Sequence, residues 1–134
     1  MELIFKETIP DKHAYYDLFV TTGWKSTATA EDLAQALHNS WKVVAAYDQD
    51  QLVGFGRIVS DGILYAMIYD LIILPSYQGK GIGKEILERL LAHCKTQGVQ
   101  HVQLFCAKGK RLFYEKFGFN VRPADAPGMQ LDLL

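Results

Sequence analysis

The chain has 134 residues, 49% hydrophobic and 22% charged, a length that fits one domain and a composition too apolar for a disordered chain. With 14 basic against 15 acidic side chains the net charge is -1 and the pI about 6.4, which argues against a basic phosphate-binding face and so against a nucleic-acid partner. The two cysteines, Cys94 and Cys106, lie in unlike segments without metal-ligand spacing, and no apolar run approaches the about 18 residues of a membrane helix. Glu2 follows Met1 and no apolar stretch opens the chain. A reduced, cytoplasmic protein with no signal peptide, no metal and no membrane partner is therefore expected.

Residues 2–7 alternate polar and apolar and are expected as a strand. Pro10 and Asp11 open a helix with Tyr15, Leu18 and Phe19 on one side, and Gly23 ends it. Thr29 is an N-cap for a second helix, with Asp32 three residues on as a loose capping box and Leu33, Ala36 and Leu37 as the apolar stripe. From residue 41 the period changes. Residues 42–47 and 52–60 form a predicted hairpin around Asp48-Gln49-Asp50. Asp61-Gly62 turns the chain into a third strand, 63–74, whose Leu71-Ile72-Ile73-Leu74 end is apolar on both faces and therefore covered on both. Pro75 stops it.

The clearest helix follows, with Ile82, Ile86, Leu87, Leu90, Leu91 and Cys94 on one face and Gly98 as its stop. A strand over 99–106, a short helix over 110–117 closed by Gly118, and a last strand over 129–134 complete the chain. The expected architecture is α/β, with a mixed, mostly antiparallel twisted sheet of six to seven strands and helices on both faces.

The most informative segment runs from Asp70 to Lys84. A buried strand leads into Gln78-Gly79-Lys80-Gly81-Ile82-Gly83, where a helix starts. Glycines at this place let the backbone approach a ligand, and the free N–H groups of a helix start favour an anion such as a pyrophosphate. Lys80 and Lys84 add positive charge. A nucleotide-triphosphate loop is excluded because Gly79 and Gly83 are too close and Lys84 is followed by Glu85 rather than Ser or Thr. A dinucleotide fingerprint is excluded by the GxGxG spacing, with Lys84 where a glycine is needed.

The remaining pattern, Gln-x-x-Gly-x-Gly between a strand and a helix, resembles the coenzyme A loop of the GNAT superfamily of N-acetyltransferases. The order of elements over nearly the whole chain is similar to that family. So is the closing Phe113-Tyr114-Glu115-Lys116-Phe117-Gly118-Phe119 segment, while residues 1–40 match less specifically. The resemblance implies a GNAT-like fold over 1–134 as a single N-acetyltransferase domain, with acetyl-CoA as cosubstrate and an amine as acceptor. It implies that Gln78, Gly79, Lys80, Gly81, Ile82, Gly83 and Lys84 hold the cofactor phosphates. It also implies that Leu71, Ile72 and Ile73 offer backbone groups to the acetyl and pantetheine parts.

Acetyl transfer needs a polarised thioester, a neutral amine and a proton for the leaving thiolate. Backbone donors aimed at a developing oxyanion are worth about 2.7–4 kcal/mol each in comparable acyl-transfer sites. Tyr114 aligns with the family's general-acid tyrosine, and a phenol stays protonated at neutral pH. An alkyl amine is neutral in only about one molecule in 10³ at pH 7, so a base is wanted. Asp70, at the start of the key strand, is the first candidate, set against a plain hydrogen-bonded strand-end residue. His13, His38, His93 and His101 read as surface residues.

Phe19, Trp24, Tyr65 and Tyr69 are candidates for lining the acceptor site, where aromatics suit an apolar or aromatic amine, though aromatics are more often core. Arg57 and Asp61 read as a possible ion pair. One departure from the family stands out. Ala107 and Lys110 occupy places where many members carry Asn and Ala, and Lys108, Lys110 and Arg111 make the segment basic, as a solvated face or a phosphate contact. A small-molecule amine is the expected partner. A protein N-terminus or lysine, or a noncatalytic acyl-CoA sensor role, are the alternatives. The last strand is a candidate for pairing across a homodimer.

Overall fold

A computed structural model describes residues 2–134. The chain forms two compact units, one running up to Leu104 and the other covering Phe105–Leu134. The first contains β1 (Leu3–Lys6), α1 (Lys12–Val20), α2 (Ala30–His38), β2 (Lys42–Asp48), β3 (Gln51–Ser60), β4 (Tyr65–Ile73), a 3-10 turn (Pro75–Tyr77), α3 (Ile82–Gln97) and β5 (His101–Leu104). The second contains α4 (Arg111–Glu115).

The helix starts follow the sequence signals. The Asp11 carboxylate accepts the backbone N–H groups of His13 at 3.0 Å and Ala14 at 3.1 Å. Thr29 and Asp32 form the full capping box, each side chain accepting the other's backbone N–H, at 3.1 and 3.0 Å. α3 ends at Gly98 in the left-handed conformation, φ +75°.

The sheet has five strands in sequence order, antiparallel from β1 to β4, with β5 parallel to β4. The expectation of six to seven strands is therefore too high. Residues 129–134 form no strand, and Met129, Leu131 and Leu133 are each more than four-fifths exposed. A strand there needs a ladder partner, and none is present among the described residues.

Both faces of the sheet are covered. On one face Phe55, Val43, Ala45 and Ile72 pack with Tyr15 and Leu18 of α1 and Leu37 of α2. On the other, α3 lies close over β3 because Gly54 and Gly56 have no side chains. A Cβ on Gly56 would stand 2.9 Å from Ile86 Cγ2 and 3.0 Å from Leu90 Cδ1. Gly56→Val is therefore expected to cost about 1–3 kcal/mol of stability through overpacking, measured by urea unfolding. Wild-type stability in that variant would show that α3 is not in close contact with β3.

The β3–β4 ladder carries an irregularity that sets up the site. Phe55 pairs with Ile72 and Arg57 with Tyr69, so Gly56 alone faces both Asp70 and Leu71. β4 is bulged there, and Asp70 takes the left-handed conformation, φ +56°. Pairing of β4 with β5 covers only Tyr65–Ile68.

Candidate active site

Past the bulge, Leu71, Ile72 and Ile73 continue with β3 on one side and no strand on the other. In an ordinary interior strand the N–H and C=O groups on that second side would be used by a neighbouring strand, so those turned away from β3 make a polar edge inside an apolar segment. The chain then runs through Leu74, whose N–H donates to Val53 O at 2.8 Å, and the 3-10 turn. Gln78 folds back, its Nε2 donating to Ile73 O at 3.2 Å. Gly79 and Gly81 both have positive φ, +77° and +84°, and Gly81 is the N-cap of α3. No side chain caps this helix. The N–H groups of Ile82, Gly83 and Lys84, in its first turn, have no intrahelical acceptor to bond. A Cβ on Gly79 or Gly81 would meet nothing within 4 Å, so the space in front of the loop is open. Lys80 and Lys84 are exposed, Lys84 lying 3.9 Å from Glu88. This is the layout an extended ligand with a pyrophosphate requires: open space, free N–H groups, a helix dipole and cations.

A cleft joins this edge to the end of α1. Leu71, Ile72, Ile73, Pro75 and Gln78 line one side, with Thr21, Thr22 and Trp24 on the other. The structure thus brings together four of the expected cofactor residues and one expected acceptor residue, Trp24. Phe19 packs against Trp24, ring centroids 5.8 Å apart, and supports it. Tyr65 and Tyr69 are not in the cleft. Tyr65 is six residues before Leu71, roughly 20 Å along a strand, and stacks on His101. Tyr69 lies 5.7 Å from the Arg57 guanidinium. Thr21 and Thr22 do not appear among the sequence-derived candidates. Their hydroxyls donate to Leu18 O (2.6 Å) and Phe19 O (2.8 Å), and the Thr-Thr-Gly run at a helix end was the available signal.

Asp70 is not a free carboxylate. Its Oδ2 accepts from Arg57 Nε at 2.6 Å, and both side chains are mostly shielded. Arg57 therefore pairs with Asp70 and not with Asp61. Asp61 instead accepts the backbone N–H groups of Ile63, Leu64 and Tyr65, which hold its carboxyl below the usual range and shape the turn into β4. Tyr15 lies against the Arg57–Asp70 pair, and burial, then the Asp70 charge, push its phenol upward. Of the histidines, His93 is half-buried against Trp41, ring centroids 4.6 Å apart, and burial and Lys42 lower it. His13, His38 and His101 are exposed.

In the second unit, α4 buries Tyr114 among aromatics, with Phe113 at 5.1 Å and Phe119 at 6.0 Å between ring centroids. Burial, with a smaller contribution from Cys106, pushes its phenol up to about 12. At neutral pH it is a protonated donor. Lys108, Lys110 and Arg111 lie exposed beside it, Arg111 pairing with Glu115 at 3.4 Å. Among the described residues no group of three or more His, Cys, Asp or Glu side chains could hold a metal, and no helix is long and apolar enough to cross a membrane.

A mixed sheet whose fourth strand frees its edge and runs into a glycine-opened helix defines an α/β protein suited to an extended anionic ligand. The chain belongs to the GNAT acetyltransferases, whose domain model matches residues 6–126. It is 34% identical over 110 residues to an uncharacterised N-acetyltransferase of Prochlorococcus marinus, covering 79% of this chain and 61% of that protein. It is 31% identical over 123 residues to a chloroplastic serotonin N-acetyltransferase of Oryza sativa subsp. japonica, covering 89% of this chain and 61% of that protein. The chain thus spans about three-fifths of the length of these relatives. Among solved structures it is similar to a probable acetyltransferase from meticillin-resistant Staphylococcus aureus, with a TM-score of 0.89, 32% identity, and coverage of 98% of this chain and 99% of that one.

Proposed function

We propose that this protein transfers an acetyl group from acetyl-CoA to the primary amine of a small molecule, within a single functional domain spanning 1–134. The observation that carries this reading is the free edge of β4 at Leu71–Ile73, leading directly into the left-handed Gly81 and the first turn of α3. Gln78 through Lys84 take the pyrophosphate on backbone N–H groups, helped by Lys80 and Lys84. Leu71, Ile72 and Ile73 hold the pantetheine and thioester carbonyl by the backbone, so their side chains remain free to pack.

In the reaction the amine nitrogen attacks the carbonyl carbon, the C–S bond breaks, and the β4 N–H groups stabilise the charge that develops on oxygen. Tyr114 gives its proton to the departing sulfur. The amine's own proton leaves to solvent through the open cleft, since the Asp70 carboxylate is engaged by Arg57 rather than aimed at the cleft residues.

Trp24, backed by Phe19, supports an aromatic or apolar acceptor, a reading the serotonin-acetylating relative also favours. Titration calorimetry with acetyl-CoA, beside coenzyme A, ATP and NAD, tests the donor. Binding of acetyl-CoA with ATP and NAD silent is expected, and a folded sample that binds none of them defeats the reading. Turnover with arylalkylamines, polyamines and a histone-tail peptide tests the acceptor, with arylalkylamines expected to be the best substrates. Preference for the peptide would instead assign a protein acceptor, and tight acetyl-CoA binding with no turnover of any amine a sensor role.

A further inference from the structure

We infer that Arg57 and Asp70 are a positioning pair that holds the bulge of β4, and with it the free edge at Leu71–Ile73, in place. The inference rests on the acetyl-CoA reading. Asp70 and Gln49 are the only non-glycine residues with positive φ among those described. Gln49 sits in the turn between β2 and β3, where such a conformation is common; Asp70 sits inside a strand, where it is not. Asp is one of the few side chains that tolerates it. At this residue the ladder changes from one-to-one to two-against-one, and pairing with β5 has ended two positions earlier, at Ile68.

Arg57 fastens this conformation from across the sheet. Its Nε donates to Asp70 Oδ2 at 2.6 Å, and its Nη1 reaches Ser40 Oγ at 3.2 Å and Ala36 O at 3.4 Å, at the end of α2. The guanidinium also lies over Tyr69, the residue before the bulge. Tyr15 of α1 packs edge-on against Phe55, which pairs with Ile72. One planar, multi-donor cation therefore ties the bulge to α2 on the face where α1 also packs. Lysine, with a single point of charge, does not replace that fork. Without the pair, β4 is free to slip by one residue, which turns Ile72 from the core to the opposite face and moves the backbone groups that meet the thioester.

A structural role and a base role for Asp70 predict different kinetics. Asn accepts both positive φ and a hydrogen bond from Arg57 but is no base; Ala supplies none of the three. Asp70→Asn is expected to keep both kcat and acetyl-CoA Kd within about threefold of wild type, whereas Asp70→Ala and Arg57→Met weaken acetyl-CoA by about tenfold or more. Asp70→Ala or Arg57→Met that folds and binds within about threefold of wild type overturns the inference. So does Asp70→Asn with intact affinity and a kcat lowered about a hundredfold, which would mark a base. Should Asp70→Ala or Arg57→Met fail to fold by circular dichroism, Asp70→Gly decides. Glycine adopts the backbone unaided, so kcat within about thirtyfold of wild type supports positioning and a larger fall overturns it. Wild-type protein that does not bind acetyl-CoA defeats the parent reading, whereas variants indistinguishable from a binding wild type defeat only the pair.

Discussion

Gly81→Trp is expected to weaken acetyl-CoA binding by about a hundredfold or more while leaving the protein folded. Two independent features of the position produce this. Gly81 has φ +84° and ψ 5°, a conformation in which a side chain costs of order 1–2 kcal/mol. A Cβ there points into open space, meeting no atom within 4 Å, so the empty protein has nothing to clash with. The fold is spared because the residue is exposed and contributes no packing. The ligand is not spared, because the indole fills the space in front of the first-turn N–H groups that a pyrophosphate must reach. Gly81→Ala separates the two effects, carrying the backbone strain with little bulk, and is expected to bind within about tenfold of wild type. Calorimetric titration with acetyl-CoA, with circular dichroism as the check on folding, measures both. If the Trp variant binds like wild type, the phosphate lies elsewhere and the glycine loop is only a turn.

The parts of this molecule that were legible in the sequence are those whose cause is local. The Thr29–Asp32 capping box, the Asp11 cap, the apolar stripe of α3 and its glycine ends are each decided within a few residues, and each formed where expected. The covering of both faces also followed, since the Leu71-Ile72-Ile73-Leu74 run is apolar on both sides, with Ile72 in the core under α1 and Leu71 and Ile73 on the face of α3.

What depends on pairing between distant segments was not legible. The bulge at Asp70 arises from the register of β3 against β4, and no residue near Asp70 announces two-against-one pairing. For the same reason the partner of Arg57 is Asp70 and not Asp61, four residues away in sequence. Asp61 is occupied by the backbone of its own turn, which leaves the guanidinium to the residue that the register brings opposite. The strand expected over residues 129–134 is absent because no segment among the described residues pairs with it. Within the candidate site, the glycines of the loop lie close together in sequence, whereas the residues lining the cleft come from α1, β4 and the turn after it. Trp24 lines the cleft, whereas Tyr65 and Tyr69 stand at other points along β4.

Tyr114→Phe is expected to lower kcat by about 10²–10³ while leaving acetyl-CoA Kd nearly unchanged, because proton donation matters only as the C–S bond breaks. The packing should survive, since Phe keeps the ring that Phe113 and Phe119 contact. The pH dependence supplies a second check. Burial raises the phenol to about 12, above its ordinary value near 10, so the fold favours the protonated form. Tyr114 therefore remains a proton donor throughout the range in which amines lose their protons, and the rate should climb with pH as the amine is deprotonated, without an alkaline fall below about pH 11. The same shift has a sign for stability. The stabilisation linked to the raised phenol is fully present below about pH 10 and is lost as pH rises toward about 12. Tyr114→Phe should lack that alkaline loss while showing the same rising pH–rate limb at a lower plateau. A variant with wild-type kcat removes Tyr114 from the chemistry. A wild-type rate that instead falls near pH 9 to 10 assigns the essential acid to another group, one whose ionisation the burial of α4 does not suppress.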